Sequence, residues 1–563
     1  MDRVWDEEFD VVVVGTGAAA FAAAVTAADA GRSVVMLEST PRWGGSSSMS
    51  GGGLWLPTNP LMERAGAADS RDEALAYLEV TVGDAGPAAS PERRAAFVDG
   101  VADFVTMAER LGMRFTRAAE YPDYYPEKSG GKIGRALEVE PFDVRRIGPW
   151  WTSARGQDGV PAPVKTDDFW LLQRAWSSPD GFGRGARVVG RVVAGLARGR
   201  RLVGMGAALT ASFLEIALRQ GVGIWLECPL EEILVEDGRV VGVRASRGGS
   251  AVDLRAREGV VLAAGGFDHN TALRQQHQGV DGSASSGSRG NVGTVIEAAA
   301  RLGAALDLMD DAWWGASIPP ATPDGSAAFL VSERSVPHSL IVDSEGRRFA
   351  NESESYVDLG HHLLEHARQV PGRFWMVTDV RHARRYLRSY ALDPRANKAM
   401  ASAGILHRAD TLAELADQIG VDRQSLQETI DRFNGFARTG IDHDFGRGNS
   451  AYDRYYADPS SRPNPNLGTI EKGPFAAVEI VAGDLGTKGG VVTDEHARVL
   501  TPDGSVIPGL YAAGNTSASV MGRTYPGPGS TLGPACVFGH LAARHLTGTV
   551  AAAARPATPA AAH

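Results

Sequence analysis

The chain has 563 residues, 43% of them hydrophobic and 22% charged, with 68 glycines, a formal net charge of -10 and two cysteines. That length exceeds one ordinary core and implies two or three domains, and the acidic balance argues against a general nucleic-acid role. Cys228 and Cys536 lie far apart in no ligand spacing, which excludes a disulfide scaffold and fits a reducing compartment.

The first ten residues are acidic where an export signal is basic, and no later run of about 18 uncharged apolar residues is visible, so a cytoplasmic protein without a membrane span is expected. Val11–Val14 reads as a buried strand. It leads into Gly15-Thr16-Gly17-Ala18-Ala19-Ala20, a G-x-G-x-x-A dinucleotide fingerprint. Gly15 permits the turn, Gly17 lets backbone N–H groups approach a pyrophosphate, and Ala20 lets the helix pack closely. Ala18 and Ala19 fall in the first turn, whose positive end faces the phosphates. A second strand, Ser33–Leu37, ends at Glu38, 23 residues after Gly15, the right distance for a carboxylate on a ribose, with Ser39 beside it. An ordinary strand–helix–strand turn is the structural alternative, but here strand, glycines, helix, second strand and acid occur in order.

Next come Gly44-Gly45-Ser46-Ser47 and Ser50–Gly53, the latter including Gly52, which offer N–H and hydroxyl donors. A flexible linker is the alternative, yet Trp43, Leu54 and Trp55 flank the stretch, which is odd for a solvated linker. Further on, Ser178–Phe213 carries Arg184, Arg187, Arg191, Arg198, Arg200 and Arg201 among apolar residues and one acid, Asp180. A solvated helical insertion is the favoured reading; a basic amphipathic helix resting on an anionic membrane through 184–204 is the other. Gly259–Phe267, with Gly265 and Gly266, and Gly509–Asn515, with Gly514 and Asn515, are strands ending in small residues, as expected where strands close over a flavin nucleotide. Asp281–Asn291 and Gly483–Gly490 read as polar, glycine-rich crossovers. The stiff stretch MGRTYPGPGSTLGPA, Met521–Ala535, fixes backbone groups around Tyr525 just before a helix. Trp313 and Trp314 read as core or pocket wall, Asp310 and Asp311 as a solvated helix end, and His361-His362 as lacking partners at metal spacing.

The fingerprint with GGSSSMSGGG, the late GLYAAGN and TLGPACVFG resemble the flavoproteins related to fumarate reductase. Within them the chain looks most like the 3-ketosteroid Δ1-dehydrogenases, through YPDYYPE (Tyr121–Glu127), LGAALDLMDDAWWG, FANESESYV (Phe349–Val357), NPNLG, GDLGTKGG and MGRTYPGPGSTLGPA, which together span about residues 9 to 545. The resemblance implies an α/β fold. A Rossmann-like FAD-binding domain would come from both chain ends, 1–283 and 484–550, with an α+β catalytic domain, 284–483, inserted between them. The tail 551–563 is low complexity and expected to be disordered.

The resemblance also implies non-covalent FAD, a 3-ketosteroid substrate and a quinone-type electron acceptor. In that chemistry a hydride leaves carbon 1 for the flavin and a proton leaves carbon 2, next to the carbon 3 ketone. Tyr525 O–H and Gly529 N–H would hold the ketone oxygen, where oriented donors stabilise a developing enolate. Gly529 would be small because the steroid lies against it. The helix beginning near Thr531 and Leu532 would point its positive end at the flavin. Tyr356 matches the base for the carbon 2 proton, and Tyr124 a tyrosine that polarises it; a lone phenol, with a pKa near 10, is a poor base at neutral pH. Tyr121 and Tyr125 are close in register, with Tyr124 the better match. Two departures stand out: Ser355 replaces a proline before Tyr356, and an acid is absent at Asn291–Val295, where Thr294 would replace it as a helix cap. The rivals are a 3-ketosteroid dehydrogenase acting at carbons 4 and 5, a fumarate reductase-like dicarboxylate enzyme, and a non-catalytic flavin module. A dicarboxylate site needs several arginines, whereas the late loop holds only Arg523.

Overall fold

In the computed structural model, the described residues are 3–158, 163–323, 325–391 and 393–549; the tail 551–563 lies outside them. The valine-rich segments become a parallel sheet. Strand Glu7–Val14 lies between Val34–Leu37 and Ser250–Leu262, with Gly223–Trp225 beyond the former and Val506–Ala512 beyond the latter. In register, Val14 sits opposite Leu37 and Leu262, and Leu262 opposite Ala512. Four strands therefore end on one edge, and the segments after them converge there: Gly15, Glu38, Ala263–Gly266 and Ala513–Asn515. This is where open α/β sheets bind ligands.

Helix Ala18–Asp29 is buried along almost its whole length. Alanine makes this possible, because it lets two neighbours approach closely. On one side lies helix Leu532–Leu546, where a Cβ on Gly539 would overlap the Ala19 carbonyl. On the other lies helix Met205–Arg219, with Phe213 stacked on Phe21 at 6.1 Å.

The second sheet is antiparallel, in the order Ala328–Phe329, Ala312–Ile318, Phe475–Thr487, Phe374–Thr378, Ser339–Val342, with Leu406–Ala409 also on the long strand. Helices Leu412–Ile419 and Arg423–Thr439 cover one face through Leu415, Leu426, Ile430 and Phe433. A capping box, Thr411 with Glu414, starts the first, and Gly420 in the left-handed conformation ends it. Helix Tyr356–Gln369 lies against Ala312–Ile318 at Gly360, where a Cβ would overlap Trp314. The expected crossover at Gly483–Gly490 is largely strand: Asp484 and Thr487 still pair with Trp314 and Ala312. The chain thus returns toward the first sheet while held in the second.

The basic segment forms helix Pro179–Ala197, capped by Ser178. Two of its arginines are consumed internally, Arg184 by Glu120 at 2.7 Å and Arg191 by Asp168 at 2.5 Å. Among the described residues no helix is long and apolar enough to cross a membrane.

Candidate active site

At the strand edge, Gly15 adopts φ +113°, and a Cβ there would overlap the Ala263 carbonyl; only glycine brings the first and third strand ends this close. Glu38 is buried, with Thr16 Oγ1 donating to one oxygen at 2.5 Å and the Thr40 hydroxyl to the other at 2.8 Å. Ser39 is exposed. The glycine–serine stretch is a built loop rather than a linker. Gly44 N–H donates to Thr16, Gly45–Met49 is a short helix, Ser47 Oγ accepts from Ala18 N–H at 3.0 Å, and Ser46 Oγ accepts from Ser288 N–H and Asn291 Nδ2. Gly52 packs on Met205, Gly265 on Asn291, Gly266 on Thr487 and Gly514 on Ala19. Thr516 Oγ1 accepts from Ala264 N–H and donates to the Gly265 carbonyl, both at 2.9 Å, tying the third strand end to the fourth. Gly17 lies at the start of helix Ala18–Asp29, and Thr531 and Leu532 at the start of Leu532–Leu546; neither helix has a side-chain cap. Ala18 N–H is taken by Ser47 and Gly533 N–H by the Gly529 carbonyl; the other first-turn N–H groups are the donors that face the cleft. This donor set, with the carboxylate at Glu38, fits a dinucleotide of FAD type.

Beside this cleft the three expected tyrosines come together from distant segments. The Tyr356 and Tyr525 rings lie 4.9 Å apart, Tyr124 and Tyr525 5.0 Å, and Tyr124 and Tyr356 5.4 Å edge to face. All three are at most 5% exposed. Trp313 and Phe329 close the cluster against Tyr525 and Tyr356. Tyr525 is held by its loop. The Pro526 carbonyl accepts from Tyr77 O–H at 2.6 Å and from Tyr124 N–H at 2.9 Å, while Tyr77 oxygen accepts from Tyr125 N–H at 3.1 Å. One buried hydroxyl, Tyr77, thus indexes the segment carrying Tyr124 to the loop carrying Tyr525. Gly529 has φ +94°, and a Cβ would overlap the Gly53 carbonyl. Its need for glycine is therefore met inside the protein, a different reason from contact with a substrate.

Burial pushes the Tyr356 and Tyr124 phenols well above their usual range, and the Tyr525 hydroxyl beside Tyr356 adds to the rise. Burial thus outweighs the lowering expected from a second phenol. Burial raises Tyr525 too, but the Tyr356 hydroxyl, Thr531 and the Gly529 N–H face its oxygen and oppose the rise. Asp123, the residue before Tyr124, accepts from Trp55 Nε1 and Arg135 at 2.8 Å, and burial lifts it to about 6 against the pull of Arg135.

Several residues lie elsewhere than expected. Asp310 is exposed, but Asp311 is buried; its Oδ1 accepts from Trp314 Nε1 at 2.9 Å and bonds His361 Nε2 at 2.7 Å, and its Oδ2 forms an ion pair with Lys488 Nζ at 3.2 Å. Burial would raise the Asp311 carboxyl, but Lys488 and His361 outweigh it and hold it at about 2. His362 pairs with Glu354, and no metal-holding cluster is found among the described residues. Thr294 opens its helix without capping it; the cap is Gly293. Ser355 precedes the helix of Tyr356 and makes no cap bond. Sequence reasoning missed Tyr77, Lys488 and a second tyrosine group, Tyr452, Tyr455 and Tyr456. Tyr452 lies 4.2 Å from Tyr124, and the Tyr456 hydroxyl bonds that of Tyr121. The YDRYY run was the available signal, but nothing local says where it packs.

The FAD-binding domain family matches residues 10–532. The chain is 44% identical to a 3-oxosteroid 1-dehydrogenase of Mycolicibacterium smegmatis, covering 97% of this chain and 98% of that one. It is 36% identical to a 4-oxocyclohexanecarboxylate 2-dehydrogenase of Sinomonas cyclohexanicum, over 96% and 93%. A solved 3-ketosteroid Δ1-dehydrogenase from Sterolibacterium denitrificans, in complex with 1,4-androstadiene-3,17-dione, superposes with a TM-score of 0.89 at 34% identity, covering 96% of this chain and all of that one. The chain belongs to the FAD-binding flavoprotein family that includes the 3-oxosteroid 1-dehydrogenases.

Proposed function

We propose that this chain is an FAD-dependent 3-ketosteroid dehydrogenase that introduces a double bond between carbons 1 and 2 of the A ring. The observation that carries the reading is the convergence of Tyr124, Tyr356 and Tyr525 in one buried aromatic cluster beside the dinucleotide cleft. In this reading residues 284–483 form the substrate domain, and 1–283 with 484–550 the FAD domain.

When bound, FAD supplies the acceptor for the hydride from carbon 1. Gly15, Gly17, the Gly44–Ser47 loop, Glu38, Gly514, Asn515 and the helix start at Thr531 and Leu532 would hold it. Tyr525 O–H and Gly529 N–H take the carbon 3 ketone oxygen, and as the carbon 2 proton leaves they stabilise the charge growing on that oxygen. Tyr356 takes the proton. Its high pKa makes it a strong base once ionised, and the clamped ketone acidifies carbon 2, so the two pKa values approach each other. Tyr124 orients Tyr356 edge to face. The surrounding rings exclude water, which strengthens each polar contact.

A carboxylated substrate is less well served. Lys488 is committed to Asp311 and Arg523 to Asp310, and Arg334 donates through its Nε and Nη1 to the carbonyls of Leu330, Glu352 and Glu354. A carboxylate needs an arginine fork aimed at it. We assign the electron acceptor to the quinone class. The helix Pro179–Ala197 turns Phe182, Val189, Val193 and Leu196 outward, each at least 59% exposed, with Arg187 and Arg198 beside them. This line supports peripheral contact with an anionic bilayer; failure to co-sediment with anionic vesicles at low salt would exclude it.

The reaction is tested by adding androst-4-ene-3,17-dione without oxygen. Bleaching of the flavin with a 1,4-diene product is expected. Bleaching only with a 5α-reduced steroid would move the assignment to carbons 4 and 5, and silence toward every 3-ketosteroid would overturn it.

A further inference from the structure

Arg93 stands in the first turn of helix Pro91–Arg110, the end that disfavours a cation, and is 2% exposed. Burying an unpaired charge costs several kcal/mol. Three other buried arginines here carry a carboxylate: Arg135 has Asp69 and Asp123, Arg274 has Asp484, and Arg348 has Glu352 and Asp442. Arg334 is held by carbonyls instead, away from the cleft that Arg93 fronts. Arg93 has none within ion-pair distance among the described residues; Asp494 and Asp307 act on it only through space. Its Nη1 donates to the Ala88 and Ala518 carbonyls, its Nε has no partner, and its guanidinium lies 4.8 Å from the centre of the Phe538 ring. It fronts a narrow cleft shared with Trp313, Gly514, Asn515, Thr531 and Phe538. Gly514, Asn515 and Thr531 belong to the edge assigned above to FAD.

Accepting a hydride brings two electrons and one proton, so the flavin ring gains one negative charge. The substrate, or a reducing dye in a titration, supplies both electrons. We propose that Arg93 is the buried counter-charge for the reduced flavin and, with the helix start at Thr531, raises the cofactor's midpoint potential. It acts as a positioning and tuning residue rather than a reactant. The inference rests on FAD binding in this cleft and not on which ketone is oxidised.

The test is the midpoint potential of the holoenzyme, measured by dye equilibration without steroid, together with the affinity for oxidised FAD. Arg93→Gln keeps an amide for the Ala88 and Ala518 carbonyls but loses the charge. It is expected to weaken reduced FAD at least tenfold relative to oxidised FAD, which lowers a two-electron potential by about 30 mV or more. Arg93→Lys is expected to stay near the parent at neutral pH. A parent-like potential in an FAD-loaded Arg93→Gln protein would overturn the proposal, because a mere tether of two carbonyls lowers thermal stability and leaves the potential alone. Should Arg93→Gln fail to fold, the pH dependence of Arg93→Lys decides. Burial lowers Arg93 to about 10, and a lysine in the same place starts from a lower ordinary value, so it loses its proton at lower pH than the arginine does. The lysine variant's potential should therefore fall more steeply with pH than the parent's; parallel slopes would refute the assignment. Because no steroid is present, failure of the steroid assay leaves this measurement intact.

Discussion

Tyr77→Phe removes one oxygen from the wall of the tyrosine cluster. Tyr77 is fully buried, and its ring packs 6.0 Å from Trp55. The phenyl ring keeps that packing, so no cavity opens. Two hydrogen bonds are lost, from Tyr77 O–H to the Pro526 carbonyl at 2.6 Å and from Tyr125 N–H to Tyr77 at 3.1 Å. The Pro526 carbonyl still accepts from Tyr124 N–H, but Tyr125 N–H loses its acceptor, at a cost of about 1–3 kcal/mol. The larger effect falls on geometry. The Tyr124 segment and the Tyr525 loop lose their common reference point, and a displacement near 1 Å costs about 100-fold in rate. The flavin-bleaching rate at saturating steroid should fall about 10- to 100-fold, with FAD affinity and KM nearly unchanged. Tyr386→Phe is the control: its hydroxyl is also buried, donating to Asp458 at 2.8 Å, but lies outside the cluster. It should cost stability and leave the rate alone. A Tyr77→Phe rate within about twofold of the parent would refute the indexing role.

Tyr356→Phe should cut the bleaching rate at least 100-fold, as loss of a general base does, with the flavin spectrum retained; a smaller loss would put the base elsewhere. Since burial raises Tyr356 and Tyr124, the ionised fraction grows about tenfold per pH unit below the pKa. The rate should thus climb through the neutral range, and a plateau near neutrality would contradict a buried phenol as base. Gly529→Ala forces a Cβ into the Gly53 carbonyl at positive φ; it should abolish turnover while FAD, held largely by the other segments, remains detectable. Asp311, held at about 2 from an ordinary 3.8, stabilises the folded state above pH 3.8, and this is lost as the pH falls toward 2. The shift corresponds to about 2 kcal/mol. Asp311→Asn should lower the unfolding midpoint at neutral pH, with the gap to the parent closing below pH 4.

Local signals determined the nucleotide half of this protein. Val11–Val14, Gly15, the alanine helix and Glu38 are neighbours in sequence and in space, because parallel pairing of adjacent strands and a tight turn are local events. The family motifs likewise pointed to Tyr124, Tyr356 and Tyr525. What those residues touch was beyond the sequence. Tyr77 meets Pro526 across 449 positions and Arg93 meets Ala518 across 425, contacts that exist only once two separate layers have packed. Asp311 shows the limit most plainly. Next to exposed Asp310 it looked like surface, yet the turn into strand Ala312–Ile318 points it inward, where Lys488, from the far end of the partner strand, supplies the charge that lets it stay ionised. Propensity and motif are written along the chain; burial and charge pairing are properties of the packed assembly, and only the tertiary structure decides them.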